Sequence, residues 1–457
     1  VEQDLKFLLP GFESKRYNSH LTGFLQVLFL VERHRIIMYL LQDVMMKDNL
    51  IIASKSNGTN FLDYSKAVTM EIRAYIWKQL CLMTVHSQRN ISVAAMLLFN
   101  RRNYDDGSKL PYRNQGLAGR ASYTYSGKYV GEFNFGYNGS ENFAKGKRYG
   151  FFPSGAIGWI VSEEAFMQPL RKVISKLKLR ASYGQVGNAN LGGRRFAYLS
   201  TITDDYDTLN MYKWGLDSSY GLTGMAEGEF AVQDLTWEIV NKMNLGVELG
   251  FLNGMIDLQL DYFDERRKDI FMPRESVPMT AGFMKQPWKN FGKVTNQGVE
   301  VSLNVNKQFG KDLFVSLMGT FTYAHNEITE KDEPSAVVGT NRAETGHPVG
   351  QLTGYIAEGL FTADDFEDVS TGKLKEGIPT QSFVSKLRPG DIRYRDVNGD
   401  GKVDVFDKSP IGGTKDPEIV YGFGLNMKYK DLDFGALFQG IGRSWNILGS
   451  SIIPGCQ

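Results

Sequence analysis

Two consecutive runs with period-two alternation, within residues 112–140, constrain the fold of this chain more than any other feature. In the first run, Leu117, Ala121 and Tyr123 share one face, whereas Arg120 and Ser122 lie on the other. The second run, YVGEFNFGYN, repeats this alternation directly after a Ser-Gly pair. Period two over two runs of about ten residues, separated by two turn-forming residues, predicts two antiparallel strands joined by a tight turn.

The chemistry of the two faces indicates where these strands lie. One face is apolar and aromatic, and the other is small, polar or charged. Strands of soluble proteins usually have about five or six residues. Longer strands with an apolar outer face, aromatic ends and a polar inner face are typical of transmembrane β-barrels. We therefore expect an all-β protein, an antiparallel transmembrane β-barrel whose outer face contacts the lipid bilayer and whose inner face lines a polar lumen.

Composition excludes several other classes. Lys plus Arg is 52 and Asp plus Glu is 51, so the net charge of +1 gives no electrostatic reason to expect a nucleic acid partner. No apolar run is long enough for a transmembrane helix. The five histidines are scattered, and there is neither a glycine-rich phosphate loop nor a G-x-S-x-G motif. We expect no enzymatic activity.

The alternation continues to residue 442 and predicts about eleven strands. Short turns alternate with long loops at 140–150, 187–236, 264–296 and 326–418, with 162–174 as a shorter exception. Outer-membrane barrels have short periplasmic turns and long extracellular loops, whereas a soluble β-sandwich or propeller has no reason to sort its loops by length. Residues 92–457 are therefore predicted to be barrel, with 326–418 as a long extracellular excursion. The predicted strands are 92–101, 115–125, 129–139, 151–161, 176–185, 243–251, 256–262, 299–305, 313–323, 421–429 and 432–438.

Residues 1–91 are anomalous. They mix apolar and basic residues, and residues 20–42 and 70–85 show weak helical periodicity. Only the islands 4–15 and 56–67 resemble the barrel part. We interpret residues 15–55 and 68–89 as frame-shifted translation, with a divergent set of strands as the alternative.

Several ordered motifs resemble the SusC/RagA-like family of TonB-dependent outer-membrane transporters. The resemblance covers roughly residue 92 to the end of the chain. The motifs that carry it are YRNQGLAGRASYTY, GEFNFGYNGSENFAKGKRYGFFPS, LKLRASYGQVGN, LTWEIVNKMNLGVELGFLNGMIDLQLDYF, NQGVEVSLN and GDIRYRDVNGDGKVDVFDKSPIG.

This resemblance implies a location in the bacterial outer membrane and energised import of glycans or peptides. It also implies a SusD-like surface lipoprotein that covers the pore, and energy supplied by TonB–ExbB–ExbD through an N-terminal part. The family has a TonB box and a plug domain before a 22-stranded barrel, and neither is visible here. We therefore expect a partial barrel, about half of the family's plugged barrel. The alternatives are a passive outer-membrane porin and a surface-exposed β adhesion protein; the long 326–418 excursion argues against a porin.

The strongest local motif is DVNGDGKVDVFD at residues 396–407, which has the spacing of a calcium-binding loop. Gly401 occupies the position where such a loop turns sharply. The departures are an aspartate at the last position and extended rather than helical flanks. Ca²⁺ is therefore the one cofactor that the sequence predicts, with an aspartate-rich turn that binds nothing as the alternative. The predicted ligands are Asp396, Asn398, Asp400, the carbonyl of Lys402, Asp404 and Asp407.

Aromatic residues in the long loops are weaker candidates for substrate contacts. Aromatic rings can stack on sugar rings, but packing within the loops or contact with a lipoprotein is the favoured alternative. The candidates are Tyr206, Tyr212, Trp214 and Tyr220 in loop 187–236, and Trp288 in loop 264–296.

Overall fold

The structure is a computed structural model of the chain. It describes residues 21–28, 73–87, 90–105, 110–203, 212–214, 216, 220–222, 225–283 and 285–447. Only the backbone is described for 21–28, 73–87, 212–214 and 220–222, and for a few single positions such as Asp105 and Met279.

In the described part of the chain, a single antiparallel sheet of thirteen strands dominates the fold, and its strands follow one another in chain order. The strands are β1 (Leu21–Leu28), β2 (Arg73–Ser87), β3 (Ile91–Asp105), β4 (Tyr112–Tyr125), β5 (Tyr129–Ser140), β6 (Tyr149–Ile160), β7 (Ile174–Asn188), β8 (Glu238–Phe251), β9 (Ile256–Pro273), β10 (Trp288–Phe309), β11 (Leu313–Glu330), β12 (Ile419–Tyr429) and β13 (Leu432–Gly442).

The eleven predicted strands are confirmed as β3 to β13, in the predicted order and with the predicted meander. Most of them are longer than predicted; β10, for example, has 22 residues where seven were predicted. The sheet does not close on itself within the described residues, because no pairing joins β1 to β13. This open sheet is consistent with the predicted partial barrel.

The short turns have the backbone that the sequence requires. Ser126 and Gly127 both have positive φ, at 52° and 66°, and so do Asn253 and Gly254, at 59° and 81°. Two consecutive residues with positive φ match the right-handed twist of the adjoining strands, and Gly adopts this conformation without steric cost.

The helical periodicity assigned to residues 20–42 and 70–85 is wrong where the structure describes them. Leu21–Leu28 and Arg73–Ser87 are strands, and β2 pairs with β3 over its whole length. The sequence of β2 has apolar residues on both parities, so its periodicity was ambiguous. Pairing with the edge of an existing sheet, which local pattern cannot reveal, decides the conformation.

Strands β3 to β13 carry an apolar outer face that is exposed to the surroundings. Its members include Phe133, Phe151, Ile157, Tyr183 and Phe423, each with at least half of its surface accessible. Exposed apolar side chains repeated over adjacent strands form a continuous belt, which matches the lipid-facing surface of a membrane barrel.

Aromatic rings line both margins of this belt. At the end with short turns, the rings of Tyr125, Tyr129 and Trp159 stack in a row, with centroids 6.4 and 6.5 Å apart. Glu164, in the connection after β6, accepts hydrogen bonds from the Tyr129 hydroxyl (2.7 Å) and Trp159 Nε1 (3.2 Å). These bonds hold the pKa of the Glu164 carboxyl below its usual value, and the bond from Tyr129 has the largest effect.

Where the structure describes the connections, it shows short elements. The 3₁₀ helices are Val161–Glu163, Ala165–Leu170, Met279–Ala281, Ala363–Asp365 and Val405–Asp407. The short strands are Ile202–Thr203, Tyr212–Trp214, Tyr220–Leu222, Ala226–Glu227, Gln351–Gly354, Ala357–Leu360, Phe366–Asp368, Lys373–Leu374, Thr380–Gln381, Ile392–Tyr394, Lys402–Val403 and Ser409–Thr414. Within the described ranges, no helix has the length and apolar character needed to cross a membrane.

Candidate functional site

Strands β7, β8 and β9 place a network of ion pairs on the inner face of the sheet. Arg180 Nη2 lies 2.7 and 2.6 Å from the two carboxylate oxygens of Asp261. Beside this pair, Glu248 accepts from Lys178 Nζ at 3.0 Å and pairs with Lys176 Nζ at 2.7 Å. Asp261 is almost wholly buried, with 4% of its side chain exposed, so its charge depends on Arg180 for compensation.

Gly246 makes room for this network. A Cβ atom at this position would lie 2.3 Å from Arg180 Nε and 2.6 Å from Asp261 Oδ1. Because Gly246 pairs with both residues across the sheet, its missing side chain lets them meet over its backbone. The lumen wall is therefore charged but internally paired, as the predicted polar lumen requires.

The described parts of the long β7–β8 loop next to the two strands pack into a buried core at the long-loop end of the sheet. Trp237 contacts the rings of Phe143 and Phe152, with centroids 4.9 and 5.3 Å away. The buried members are Phe143, Phe152, Leu191, Ala197, Val232, Leu235 and Trp237. This core fixes the loop on the rim of the barrel.

Trp288 belongs to the surroundings of that core. Its ring lies 5.0 Å from the ring of Phe271, and the guanidinium of Arg194 lies 4.8 Å above it. These contacts favour the packing interpretation of Trp288 over a substrate contact. Its role in substrate binding stays a prediction.

The other aromatic candidates are only partly described. Trp214 pairs with Tyr220, and Tyr212 with Leu222, in a short antiparallel hairpin. Tyr206 lies outside the described residues, and no side-chain position is described for Tyr212, Trp214 or Tyr220. Their proposed contact with substrate is therefore untested.

The long excursion predicted for 326–418 begins at residue 331, because β11 continues to Glu330. The excursion has a hydrophobic core of its own. Phe361, Phe366 and Leu387 are buried together. Asp332 anchors its start, accepting from the backbone N of Ser276 at 3.0 Å and pairing with Arg274 Nε at 3.1 Å.

Burial raises the pKa of Asp332, but the hydrogen bonds from Ser276 and the Arg274 charge outweigh it and hold this pKa below its usual value. The excursion is thus attached to the neighbouring β9–β10 loop by an ionised carboxylate.

The aspartate-rich loop 396–407 folds around its own carboxylates. Asp396 accepts from the backbone N of Gly399 and of Gly401, both at 2.7 Å. Asp407 is completely buried and accepts from the backbone N of Val397 at 2.8 Å and of Asp404 at 2.7 Å. These bonds give the loop a compact turn that needs no metal to satisfy its amides.

The remaining predicted ligands lie along the same turn. Asn398 Oδ1 accepts from the N of Asp400, and Asp400 Oδ1 accepts from the N of Lys402, both at 2.9 Å. The Asp404 carboxylate accepts from the N of Phe406 at 2.8 Å, which is the main reason that its pKa is lowered; Lys402 Nζ adds to this effect. The predicted extended flank is confirmed as Ile392–Tyr394.

The described residues contain no group of three or more His, Cys, Asp or Glu side chains that could hold a metal ion. Calcium binding by this loop stays a prediction.

Comparison with known proteins identifies the fold. The sequence profile of the family described as "TonB dependent receptor-like, beta-barrel" matches residues 87–429, about three quarters of the chain. The chain belongs to this family. Members of the TonB-dependent receptor family are outer-membrane β-barrels, so the predicted location in the outer membrane is confirmed.

Individual relatives agree with this TonB-dependent receptor assignment. The chain is 30% identical to TonB-dependent receptor SusC of Bacteroides thetaiotaomicron over 334 residues, which are 69% of this chain and 30% of that protein. It is also 30% identical to TonB-dependent receptor P26 of Formosa agariphila over 331 residues, 70% of this chain and 31% of the relative. The chain thus spans about a third of the length of these curated relatives.

A solved structure, the RagAB peptide importer in the "closed-closed" state, superimposes with a TM-score of 0.59 at 18% identity, over 82% of this chain and 42% of that one. At this identity the likeness concerns the fold alone. Together with SusC, it confirms the predicted SusC/RagA-like resemblance. Nothing in these comparisons favours a porin or an adhesion protein.

Sequence reasoning missed the residues that organise the site. The sequence patterns described above single out none of the residues Arg180, Asp261, Arg194 and Asp332. The one available signal was the parity of Arg180 and Asp261 within their strands, which places both on the inner face.

Proposed function

We propose that this chain is part of an energised importer that carries oligosaccharides or peptides across the outer membrane. The observation that carries the proposal is the TonB-dependent receptor match over residues 87–429. The charged inner wall supports it, because the network at Arg180, Glu248 and Asp261 provides a polar surface inside the lipid-facing belt. TonB–ExbB–ExbD would supply the energy.

We also propose that a SusD-like lipoprotein covers the extracellular end. The similarity of the chain to TonB-dependent receptor SusC and to the RagAB peptide importer supports this partnership. These two relatives differ in name, so the substrate class of this chain stays open between glycan and peptide.

An uptake assay tests the importer function. Cells that express the protein are expected to accumulate labelled oligosaccharide or peptide mixtures only when TonB is present, because import requires energy coupling. The matched control is a strain that has TonB but does not express the protein. Uptake that is unchanged after deletion of TonB would show a passive pore and contradict the proposal.

We propose further that the 396–407 loop binds Ca²⁺ outside the cell, where it would stiffen the excursion. The spacing of its oxygen-bearing side chains supports this. Isothermal titration of the EDTA-treated protein with CaCl₂ is expected to give a saturable heat, which is lost in Asp400→Ala because one ligand oxygen is removed. Asp364→Ala, outside the loop, is the control. The absence of calcium heat in the wild type would end this proposal.

A further inference from the structure

The extracellular ends of β3 and β4 carry two arginines on the outer face of the sheet. Phe99, Leu117, Tyr137 and Phe151 form one row across β3 to β6, on the lipid-facing side. Because side chains alternate along a strand, Arg101 lies on the same face, one row further from the membrane centre. Arg113 follows one row beyond it, opposite Asn103.

These two arginines lie at the level expected for the lipid headgroups. Arg101 shares its row with Tyr149, whose ring stacks on Tyr137 at 5.1 Å and closes the apolar belt. The aromatic margin of a barrel lies at the boundary between hydrocarbon and headgroups. Arg101 and Arg113 are both exposed at and just beyond this margin.

The two guanidinium groups are unpaired among the side chains that the structure describes. Among the described side chains near them, Glu141 accepts from the backbone N of Arg113 but not from its guanidinium, and it is paired with Arg195 at 2.6 Å. Two arginines toward the extracellular ends of other strands are paired with carboxylates. Arg266 Nε lies 3.0 Å from Asp264 Oδ1, and Arg443 Nη1 lies 3.1 Å from Glu418 Oε2.

A polar side chain, Gln115, lies beside Arg101 in the row that contains Tyr149. Gln115 is the direct neighbour of Arg101 across the ladder, and its amide donates to the Tyr149 hydroxyl. The Tyr149 ring lies over Gly139, where a Cβ would be 2.5 Å from a ring carbon. The long side chains of Arg101 and Arg113 are diagonal neighbours, close enough to contact one anion together.

We propose that Arg101 and Arg113 form a binding site for the phosphate group of an outer-leaflet glycolipid. The ligand is a phosphate held at the membrane surface by its own acyl chains, which contact the apolar row below. Planar guanidinium groups suit this anion because they donate paired hydrogen bonds to its oxygens. The site is separate from the lumen and does not depend on the proposed import function.

Native mass spectrometry of the detergent-purified protein tests this site. The probes are diphosphoryl lipid A, the same lipid after removal of its phosphates, and inorganic phosphate. We expect retention of diphosphoryl lipid A, and a roughly 30-fold weaker affinity in the double variant Arg101→Gln/Arg113→Gln, since each basic residue at a membrane surface contributes about fivefold. Dephosphorylated lipid is expected to bind equally weakly to both proteins.

Arg266→Gln is the matched control, because it removes an outward arginine whose charge is already compensated; its affinity is expected to stay at the wild-type value. Heat-modifiable migration on gels verifies that each variant is folded. Equal binding of phosphorylated and dephosphorylated lipid, or unchanged affinity in the folded double variant, would overturn the proposal. Competition by inorganic phosphate at the same concentration as the lipid would assign the site to a free anion and also overturn it.

Discussion

Replacing Asp261 by alanine is expected to destabilise the sheet by about 2–3 kcal/mol, because it removes the counter-charge of Arg180. Loss of one partner from a fully buried ion pair costs about 3–5 kcal/mol. The lower value applies here because 34% of the Arg180 side chain is exposed and water can solvate part of the charge. Urea unfolding of the protein in detergent, followed by gel migration, measures the change.

Asp257→Ala is the matched control for this prediction. Asp257 lies on the same strand and the same face, but it is exposed, so its replacement is expected to cost less than about 0.5 kcal/mol. Adding Arg180→Met to Asp261→Ala should recover part of the loss, because the unpaired charge is then gone. If Asp261→Ala and Asp257→Ala unfold at the same urea concentration, the pair does not support the sheet.

Replacing Asp407 by alanine is expected to open the excursion locally, at a cost of about 3 kcal/mol. The buried carboxylate accepts from the backbone N of Val397, Asn398 and Asp404, at 2.8, 3.3 and 2.7 Å. Without it, these amides lose their acceptor, and a buried unpaired donor costs about 1–3 kcal/mol. Hydrogen exchange of residues 396–407, measured in EDTA, should become much faster.

Asp400→Ala provides the comparison within the same loop. Asp400 is exposed, so water can replace its bond to the Lys402 amide, and exchange should change little in EDTA. The sheet should keep its wild-type urea midpoint in both variants, because the excursion has a separate core. Equal exchange rates in Asp407→Ala and the wild type would show that the loop is held by other contacts.

Strands β3 to β13 were predictable because their alternation is local, whereas β1 and β2 were not. Leu117, Ala121 and Tyr123 all point to the outer face, because side chains alternate along a strand. The alternation stays strict over many strands, since one face contacts lipid and the other faces a polar lumen. The turn at Ser126 and Gly127 was equally visible, since positive φ restricts the residue types.

The candidate site was less predictable because its contacts are distant in sequence. Arg180 and Asp261 are 81 residues apart and meet across the gap left by Gly246. Parity predicts that both point inward, but not that they pair. The buried state of Asp407 was hidden for a related reason: a metal-ligand spacing and a self-bonded aspartate turn use the same residue types.

Tight turns such as Ser126–Gly127 stand at one end of the sheet, and the long loops, including residues 331–418, at the other. A length change inside a strand would move every following side chain to the opposite face and bring charge into lipid. A length change in a long loop leaves the ladder intact, and the excursion keeps its own core at Phe361, Phe366 and Leu387. The loop surface at this end can therefore change by insertion, deletion or recombination, while the strands of the sheet keep their register.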